Sequence, residues 1–497
     1  MGRQLIVAHD LGTSGDKASL HDADGHLLAS HTAHYRTDYG PGGKAEQDPA
    51  DWWDAFCLAS RKLLAEAGAT ADEVACLAMS GQMMGVVLVD AADEPVRPAI
   101  IWADTRAQEE AATLIERVGH ERAYDHLGHR IDATYSLPKL MWLRTHEPEA
   151  YGRATGFLLA KDFITLRLTG RRCTDPSDAS GTDAYDQRAG TWSSLLLDAA
   201  GIDAALLPEV VPSATVAGGL QAAAAAATGL REGTPVVVGG GDGACAALGA
   251  GLVRGGSGAN ATIGSSAWIS VASDTPMRDP GLRLVTFDHV VPGHFVPLGA
   301  MQAAGASVDW LSDTLEVPKG PPLARLLDAA GEVEAATDGL FFLPYLLGER
   351  SPVWNARARG SFIGISRHHG AAHMARAVME GVAFNLYTIF IALEGLVGRI
   401  EAVDAIGGGA RSDAWLRIMA DTWGVSVRRR TIVDEANSLG AAVVGGVATG
   451  LIDDWDHAAS LSQAEATFEP NEARHVRLAP IYEHFTDAYE RLETWFN

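Results

Sequence analysis

The chain has 497 residues, of which 47% are hydrophobic and 21% are charged, as in folded globular proteins and unlike a largely disordered chain. This length exceeds what one hydrophobic core supports and favours two domains of roughly 200–250 residues. The net charge of −24 gives a surface that repels nucleic acid and anionic membranes, so we exclude both as partners. It does not count against a small anion bound in a local pocket.

The four cysteines, Cys57, Cys76, Cys173 and Cys245, form no CxxC pair and lie in apolar stretches. This pattern predicts buried thiols in a reducing compartment. The N-terminal segment lacks the apolar core of a signal peptide, and the alanine-rich run 221–229 is too short to span a bilayer. We therefore expect a cytoplasmic protein.

The first half begins with a predicted buried strand at 4–9, a glycine-rich loop, and a second strand from residue 17. Further strands are predicted at 74–80 and 86–89. Three helices are predicted from apolar residues at three- and four-residue spacing, at 52–67, 105–118 and 139–146.

The second half repeats this layout. A strand at 235–238 precedes GGGDGACAALGAG, and TIGSSAWISV reads as another glycine loop between strands. A long amphipathic helix at 372–393, a strand ending at Ile406 and a helix from about Ser412 follow. Alternating strands and helices indicate an α/β fold, and the recurrence predicts two duplicated domains, 1–248 and 249–497.

The first glycine loop carries groups that suit a polyphosphate. Gly12 allows close backbone approach, Thr13 and Ser14 offer hydroxyl donors, and Lys17 adds a positive charge. Asp10 could hold a hydrated Mg²⁺. Taken alone, the same loop is equally typical of a hairpin turn.

Two later loops add small donors in the second half. The segment 262–266 would hold phosphate from the opposite side, and a glycine run between a strand and a helix would suit a flat adenine and its ribose. The proposed nucleotide contacts here are Gly264, Ser265, Gly408, Gly409 and Ala410. Each loop alone is also compatible with a structural turn.

Two other nucleotide-binding classes are disfavoured. Gly42-Gly43-Lys44 lacks the rest of a Walker A loop. Residues 241–246 resemble the GxGxxA fingerprint of dinucleotide-binding proteins, but no acidic residue follows about 20 positions on.

Asp242 stands at a strand-to-helix junction, where its carboxylate could accept a hydroxyl proton or cap the helix. The nearby phosphate loops favour the role of base. Polar, aromatic and thioether groups in two further segments suit a polyol, although the methionines are also typical of core. The candidate acceptor contacts are Gln82, Met83, Met84, Trp102, Asp104, Arg106, Asp242 and Gly243.

Together these segments resemble, in order and over nearly the whole chain, the FGGY carbohydrate kinases and most closely their xylulokinases. The segments that carry the resemblance are DLGTSGDK, AEQDPADWW, SGQMMG, IIWADTR, KLMWLRTHEPEAY, TDPSDASGT, GGGDGACAALGAG, TIGSS, PYLLGERSPVWNARARGSFIGI, IGGGARSDAWLRIMADTWGVSV and EANSLGAAVVGG. The resemblance implies two ribonuclease H-like domains of the actin and hexokinase type, with ATP and sugar meeting in the cleft between them.

The resemblance also implies transfer of the γ-phosphoryl group of ATP to a sugar hydroxyl, with Asp242 as general base. The N-terminal domain would carry the sugar side and the first phosphate loop, and the C-terminal domain the second loop and the adenosine site. A homodimer is compatible with the resemblance. An actin-like ATPase or a non-catalytic sugar sensor remain as alternatives, which the intact Asp242 and the sugar-side segments disfavour.

The chain departs from the xylulokinase pattern at Met84, where those enzymes usually carry histidine, and at Gly243, where they carry asparagine. An unpaired buried hydroxyl costs about 1–3 kcal/mol, so losing both partners disfavours a xylulose-like pose unless other residues or water replace them. The acceptor is therefore either a ketopentose such as D-xylulose or another ketose, polyol or sugar acid.

Overall fold

The structure is a computed structural model that describes residues 3–335, 339–431 and 435–496. Its elements are numbered in chain order. The strands of the first half are β1 (Leu5–Leu11), β2 (Gly15–His21), β3 (Leu27–His34), β4 (Asp38–Gly40), β5 (Lys44–Gln47), β6 (Val74–Gly81), β7 (Val87–Val89), β8 (Ala99–Ile100), β9 (Gly156–Leu158), β10 (Cys173–Thr174), β11 (Tyr185–Asp186), β12 (Thr191–Trp192), β13 (Glu209–Val210), β14 (Val216–Gly219) and β15 (Pro235–Gly241).

The helices of the first half are α1 (Pro49–Ala67), α2 (Gln108–Val118), α3 (His120–Leu127), α4 (Ser136–His146), α5 (Pro148–Arg153), α6 (Ala160–Thr169), α7 (Pro176–Ala179), α8 (Ser194–Ala200), α9 (Ala222–Thr228) and α10 (Asp242–Gly249).

The strands of the second half are β16 (Ala259–Ile263), β17 (Ala267–Val271), β18 (Val285–Asp288), β19 (Phe295–Met301), β20 (Phe341–Leu343), β21 (Ser361–Ile363), β22 (Ala402–Ile406), β23 (Ser426–Arg430) and β24 (Ala464–Phe468). Its helices are α11 (Gly305–Thr314), α12 (Pro321–Glu332), α13 (Ala371–Val397), α14 (Asp413–Trp423), α15 (Ala436–Thr449), α16 (His457–Leu461) and α17 (Glu472–Phe496).

The two main sheets repeat one plan. The first has the strand order β14-β15-β6-β1-β2-β3, and the second has β24-β23-β22-β16-β17-β19-β18. In each, a hairpin (β1–β2 or β16–β17) lies beside parallel strands (β6 and β15, or β22 and β23), and the strand beyond these is antiparallel. The predicted duplicated α/β architecture is confirmed.

Strand β1 shows why the sheets are central. Alternate side chains of a strand point to opposite faces, and here both faces are covered. Leu5 and Val7 belong to the core cluster that includes α1, whereas Ile6 and Ala8 belong to the cluster with α10 and α15. Burial on both faces explains the continuous apolar run.

Helix α15 joins the two halves. The strands of the first sheet all lie within 1–248 and those of the second within 249–497. Yet α15, from the second half of the sequence, packs on β1, β6 and β15 of the first sheet and on α10. This packing brings the last quarter of the chain to the ends of β1 and β15.

Helix α13 confirms the predicted long helix. It is long and apolar enough to cross a membrane, but 78% of its most apolar window is buried inside the fold, where it packs in the core of the second sheet. It is therefore the core helix of the second half. The four cysteines are free and buried, as predicted.

Candidate active site

The first glycine loop lies between β1 and β2. Its backbone carbonyl groups accept hydrogen bonds from other residues of the first half of the chain, which forms the first of two lobes. The Tyr35 hydroxyl donates to the Gly12 carbonyl. The Gln47 side chain donates to the Thr13 carbonyl over 2.7 Å, and the Tyr35 amide donates to the Ser14 carbonyl over 3.3 Å. With the carbonyls held by these donors, the loop has a fixed conformation in which Thr13 is half-buried and Ser14 is exposed.

Asp10 is the last residue but one of β1 and receives hydrogen bonds from both halves of the chain. Ser80 Oγ at the end of β6 donates to Oδ1 over 2.8 Å, and Asn437 Nδ2 on α15 donates to Oδ2 over 3.2 Å. Burial raises the pKa of Asp10, while the Ser80 hydrogen bond and the charge of Lys17, its partner across the β1–β2 ladder, oppose the shift. Asp10 is thus a carboxylate at the junction of the two lobes.

Asp242 is the first residue of α10 and directly follows β15. Its Oδ1 accepts from the Gly243 amide over 2.7 Å. Burial, and next the charge of Asp10, raise the pKa of Asp242 to about 7, although the Gly243 bond opposes them. A carboxylate with a pKa near neutrality is well matched to accept a proton.

Asp242 opens into a cavity of about 180 Å³ between the lobes, which suits a small molecule rather than a polymer. Most of the lining is aromatic or apolar, with a few polar groups. Such pockets pack against the C–H faces of a ligand and orient its hydroxyl groups. The lining residues are Met83, Met84, Trp102, Tyr135, Asp242, Gly243, Ser266, Trp268, Val285, Phe287, Leu298, Ala300, Arg350, Ser351 and Trp354. We call this space the acceptor cavity.

Five of the proposed acceptor contacts therefore lie together: Met83, Met84, Trp102, Asp242 and Gly243. Both departures from the xylulokinase pattern are among them. The Trp102 indole also donates to Thr13 Oγ1 over 2.8 Å, which connects the cavity wall to the first loop.

The other three proposed contacts do not line the cavity. Asp104 is fully buried and accepts from the Ala45 amide and from Arg106, whose guanidinium also pairs with Glu46 over 2.8 Å. Gln82 is buried and donates to Gln47 over 2.9 Å. These side chains instead brace the first loop and β5, because Gln47 binds Thr13 and Glu46 lies in β5.

The second loop, between β16 and β17, faces two cavities. Ser266 lines the acceptor cavity, whereas Gly264 and Ser265 line a larger cavity of about 910 Å³. The loop is held by the start of α11, since the Gly305 amide donates to the Gly264 carbonyl over 2.9 Å and the Ala304 amide to the Ser265 carbonyl over 2.8 Å. Neighbouring residues of this one loop thus line both cavities.

Gly408 and Gly409 line the larger cavity from a 3₁₀ turn, Gly408–Arg411, between β22 and α14. The preceding Gly407 has φ 87°, and a Cβ there would lie 2.6 Å from the Ile263 carbonyl oxygen, so the turn requires glycine to approach β16. Ala410 is fully buried and does not line the cavity. It supports the turn from the core side.

The comparisons with known proteins agree with this geometry. Models of the N-terminal and C-terminal domains of the FGGY family of carbohydrate kinases match residues 5–249 and 259–449. The chain belongs to the FGGY family of carbohydrate kinases. It is accordingly an ATP-dependent carbohydrate kinase, and the predicted resemblance is confirmed.

Individual FGGY relatives are similar over nearly the whole chain. The xylulose kinase of Lactococcus lactis is 34% identical over 488 residues, covering 98% of this chain and 96% of that protein. The gluconokinase of Bacillus licheniformis is 30% identical over 500 residues, covering 98% and 96%. The crystal structure of xylulose kinase from Rhodospirillum rubrum has a TM-score of 0.90 at 32% identity, covering 99% of this chain and 100% of that one.

The FGGY motifs did not reveal every group in the acceptor cavity. Arg350 lines it, and among the described residues its side chain forms no ion pair and its buried Nε has no hydrogen-bond partner. Tyr135, Trp268 and Trp354 add aromatic surface. Arg350 and Trp354 lie in GERSPVW, a segment that resembled the family, but no spacing in the sequence places it opposite Asp242.

Proposed function

We propose that the protein transfers the γ-phosphoryl group of ATP to a hydroxyl of a small open-chain sugar. The observation that carries the proposal is the second loop, whose Ser266 faces the acceptor cavity while Gly264 and Ser265 face the larger one. A phosphate bound at that loop would be within reach of a hydroxyl in the acceptor cavity. The larger cavity, with Gly408 and Gly409, would take the nucleoside.

Asp242 would act as general base. Its carboxylate takes the proton of the attacking hydroxyl as the oxygen bonds to phosphorus and the bond to the ADP oxygen breaks. The donors of Thr13, Ser14, Gly264 and Ser265 would stabilise charge on the phosphoryl oxygens.

Asp10 is the residue we propose to hold Mg²⁺. Its donor set fits, because a carboxylate is a preferred ligand and each oxygen already receiving one hydrogen bond keeps a second lone pair. When bound, Mg²⁺ would neutralise negative charge on the phosphate oxygens. Lys17, opposite Asp10 in the ladder, would add positive charge.

For the acceptor we propose a ketopentose such as D-xylulose. The similarity to xylulose kinases over nearly the full length supports this. Arg350 favours a second candidate, a sugar acid, since a guanidinium without an ion pair suits a carboxylate, and a gluconokinase is among the relatives.

The test is ADP release from Mg-ATP with a panel of pentuloses, hexuloses, pentitols, tetritols and sugar acids. We expect one strong acceptor, and Asp242→Asn should lower kcat by roughly 100-fold or more while ATP binding survives. ADP release that is indifferent to every acceptor would contradict the kinase reaction. Retained turnover in Asp242→Asn would contradict the base.

A cytoplasmic location and a homodimer remain predictions. The free, buried cysteines support the first. Cell fractionation and light scattering would test them.

A further inference from the structure

Lys139 on α4 is fully buried behind the acceptor cavity. Its ammonium donates to three backbone carbonyls: those of Met84 over 3.0 Å, Ile101 over 2.8 Å, and Thr134. A lysine ammonium has three donors, so all three are used on main-chain oxygens.

The three carbonyls come from three separate segments of the cavity wall. Met84 lines the cavity itself, Ile101 directly precedes Trp102, and Thr134 directly precedes Tyr135. Residues 84, 101 and 134 lie in separate loops: between β6 and β7, after β8, and before α4. One ammonium therefore holds together the backbone segments that carry Met84, Trp102 and Tyr135 and so fixes the spacing of these three cavity-lining residues.

One of these segments has a backbone that needs support. Met84 has φ 65°, in the left-handed region that an unbranched non-glycine residue rarely adopts. Its carbonyl accepts a hydrogen bond from the ammonium, and the residue lines the acceptor cavity. The conformation that aims Met84 into the cavity is thus tied to Lys139.

Burying the Lys139 ammonium carries a free-energy cost. No carboxylate of the described residues lies within ion-pairing distance of its nitrogen, and burial lowers the pKa of Lys139 to about 7. An apolar side chain would avoid the cost of burying a charge. The carbonyls it holds account for its presence.

We infer that Lys139 is a positioning residue that sets the shape of the acceptor cavity and, through it, the choice of acceptor. The inference rests on the proposed function, since it takes the cavity to be the sugar site. Lys139 does not touch the acceptor; it acts through Met84, Trp102 and Tyr135.

The test is Lys139→Met, which keeps the length and removes the donors. We expect KM for the best acceptor to rise about 10-fold or more and the ranking of acceptors by kcat/KM to change, with KM for Mg-ATP within about 2-fold of the wild type. The matched control is Leu143→Ala, which opens a cavity one turn further along the same helix at a fully buried position. It should lower the melting temperature and leave the ranking unchanged.

Lys139→Arg provides a second variant that keeps the charge. Because its guanidinium can still donate to the carbonyls, its acceptor KM and ranking should lie closer to the wild type than those of Lys139→Met. A folded Lys139→Met with wild-type acceptor KM and ranking would overturn the inference. So would failure of both to fold while Leu143→Ala folds, because that result would assign Lys139 to stability alone. A wild type without any acceptor-dependent turnover would instead overturn the proposed function.

Discussion

The Trp102 indole N–H donates to Thr13 Oγ1 over 2.8 Å, so one hydrogen bond joins a wall of the acceptor cavity to the first phosphate loop. The bond fixes the hydroxyl rotamer of Thr13 and the plane of the indole together. A substitution in this wall of the acceptor cavity is therefore expected to affect phosphate binding at the first loop as well.

Trp102→Phe keeps an aromatic wall and removes this donor. One neutral hydrogen bond contributes about 0.5–1.5 kcal/mol, so kcat/KM should fall about 2- to 10-fold for acceptor and for Mg-ATP alike. Steady-state kinetics with each substrate varied would measure it. Trp192→Phe is the control, because its indole donates to the Pro208 carbonyl away from both cavities. An effect on the acceptor alone would show that the two sides are not coupled.

Much of the fold and of the candidate site can be predicted from the sequence. The part that cannot be predicted consists of tertiary contacts between segments. The glycine loops can be recognised in the sequence because their small residues interrupt apolar strands. Asp242 can be recognised because it stands at a strand-to-helix junction. In contrast, Asp104 and Arg106 carry the right chemistry in the right segment, but they pair with each other, and Arg106 also pairs with Glu46 of a separate segment. Pairing between segments is invisible to local pattern.

The helices, too, are predicted in part: their approximate limits follow from the sequence, whereas their packing does not. Helix α1 extends the prediction by three residues to Pro49, where the Asp48 side chain caps the Ala50 amide. Helix α4 begins at Ser136 rather than at Lys139, because proline is tolerated in the first turn of a helix. The packing of α15 on the first sheet could not be read from sequence, because it depends on contacts some 400 residues apart.

The pH dependence of turnover should report Asp242. Below its pKa of about 7 the carboxyl is protonated and cannot accept the hydroxyl proton. We therefore expect kcat/KM for the acceptor to rise with pH and to level off above about pH 7. Asp10 contributes to the raised pKa, so Asp10→Asn should move the residual activity profile to lower pH. An unchanged midpoint in that variant would rule out the charge coupling.

The same pKa shift predicts a cost in stability. The folded state holds the Asp242 proton to a higher pH than the unfolded chain, whose carboxyl titrates near 3.8. The free energy of unfolding therefore falls as pH rises between these two values and stays lowered above about 7. Asp242→Asn should melt at a higher temperature than the wild type at pH 8 but not at pH 4. Equal melting temperatures at pH 8 would contradict the raised pKa.

Met84→His with Gly243→Asn restores the two groups usual in xylulokinases. Both positions line the acceptor cavity. Histidine tolerates the left-handed backbone at 84, and a Cβ at 243 would approach nothing closer than the Met83 sulfur at 4.0 Å. If each restored hydrogen bond contributes about 1 kcal/mol, kcat/KM for D-xylulose should rise roughly 10-fold or more in the double variant. The single variants serve as controls, and no gain in any of them would mean that these positions do not select the acceptor.

Arg350→Met distinguishes the two candidate acceptor classes. A charge-assisted bond to a carboxylate contributes about 1.5–3 kcal/mol, so if the acceptor is a sugar acid its kcat/KM should fall roughly 10- to 100-fold, against a much smaller change for neutral ketoses. Arg357→Met, an exposed arginine a few residues along the same segment, controls for loss of overall charge. An equal fall with every acceptor would instead place the guanidinium on the transferred phosphoryl group, since that group is common to all the reactions. The ratio of the two kcat/KM values, measured at fixed Mg-ATP, therefore identifies which anion Arg350 binds.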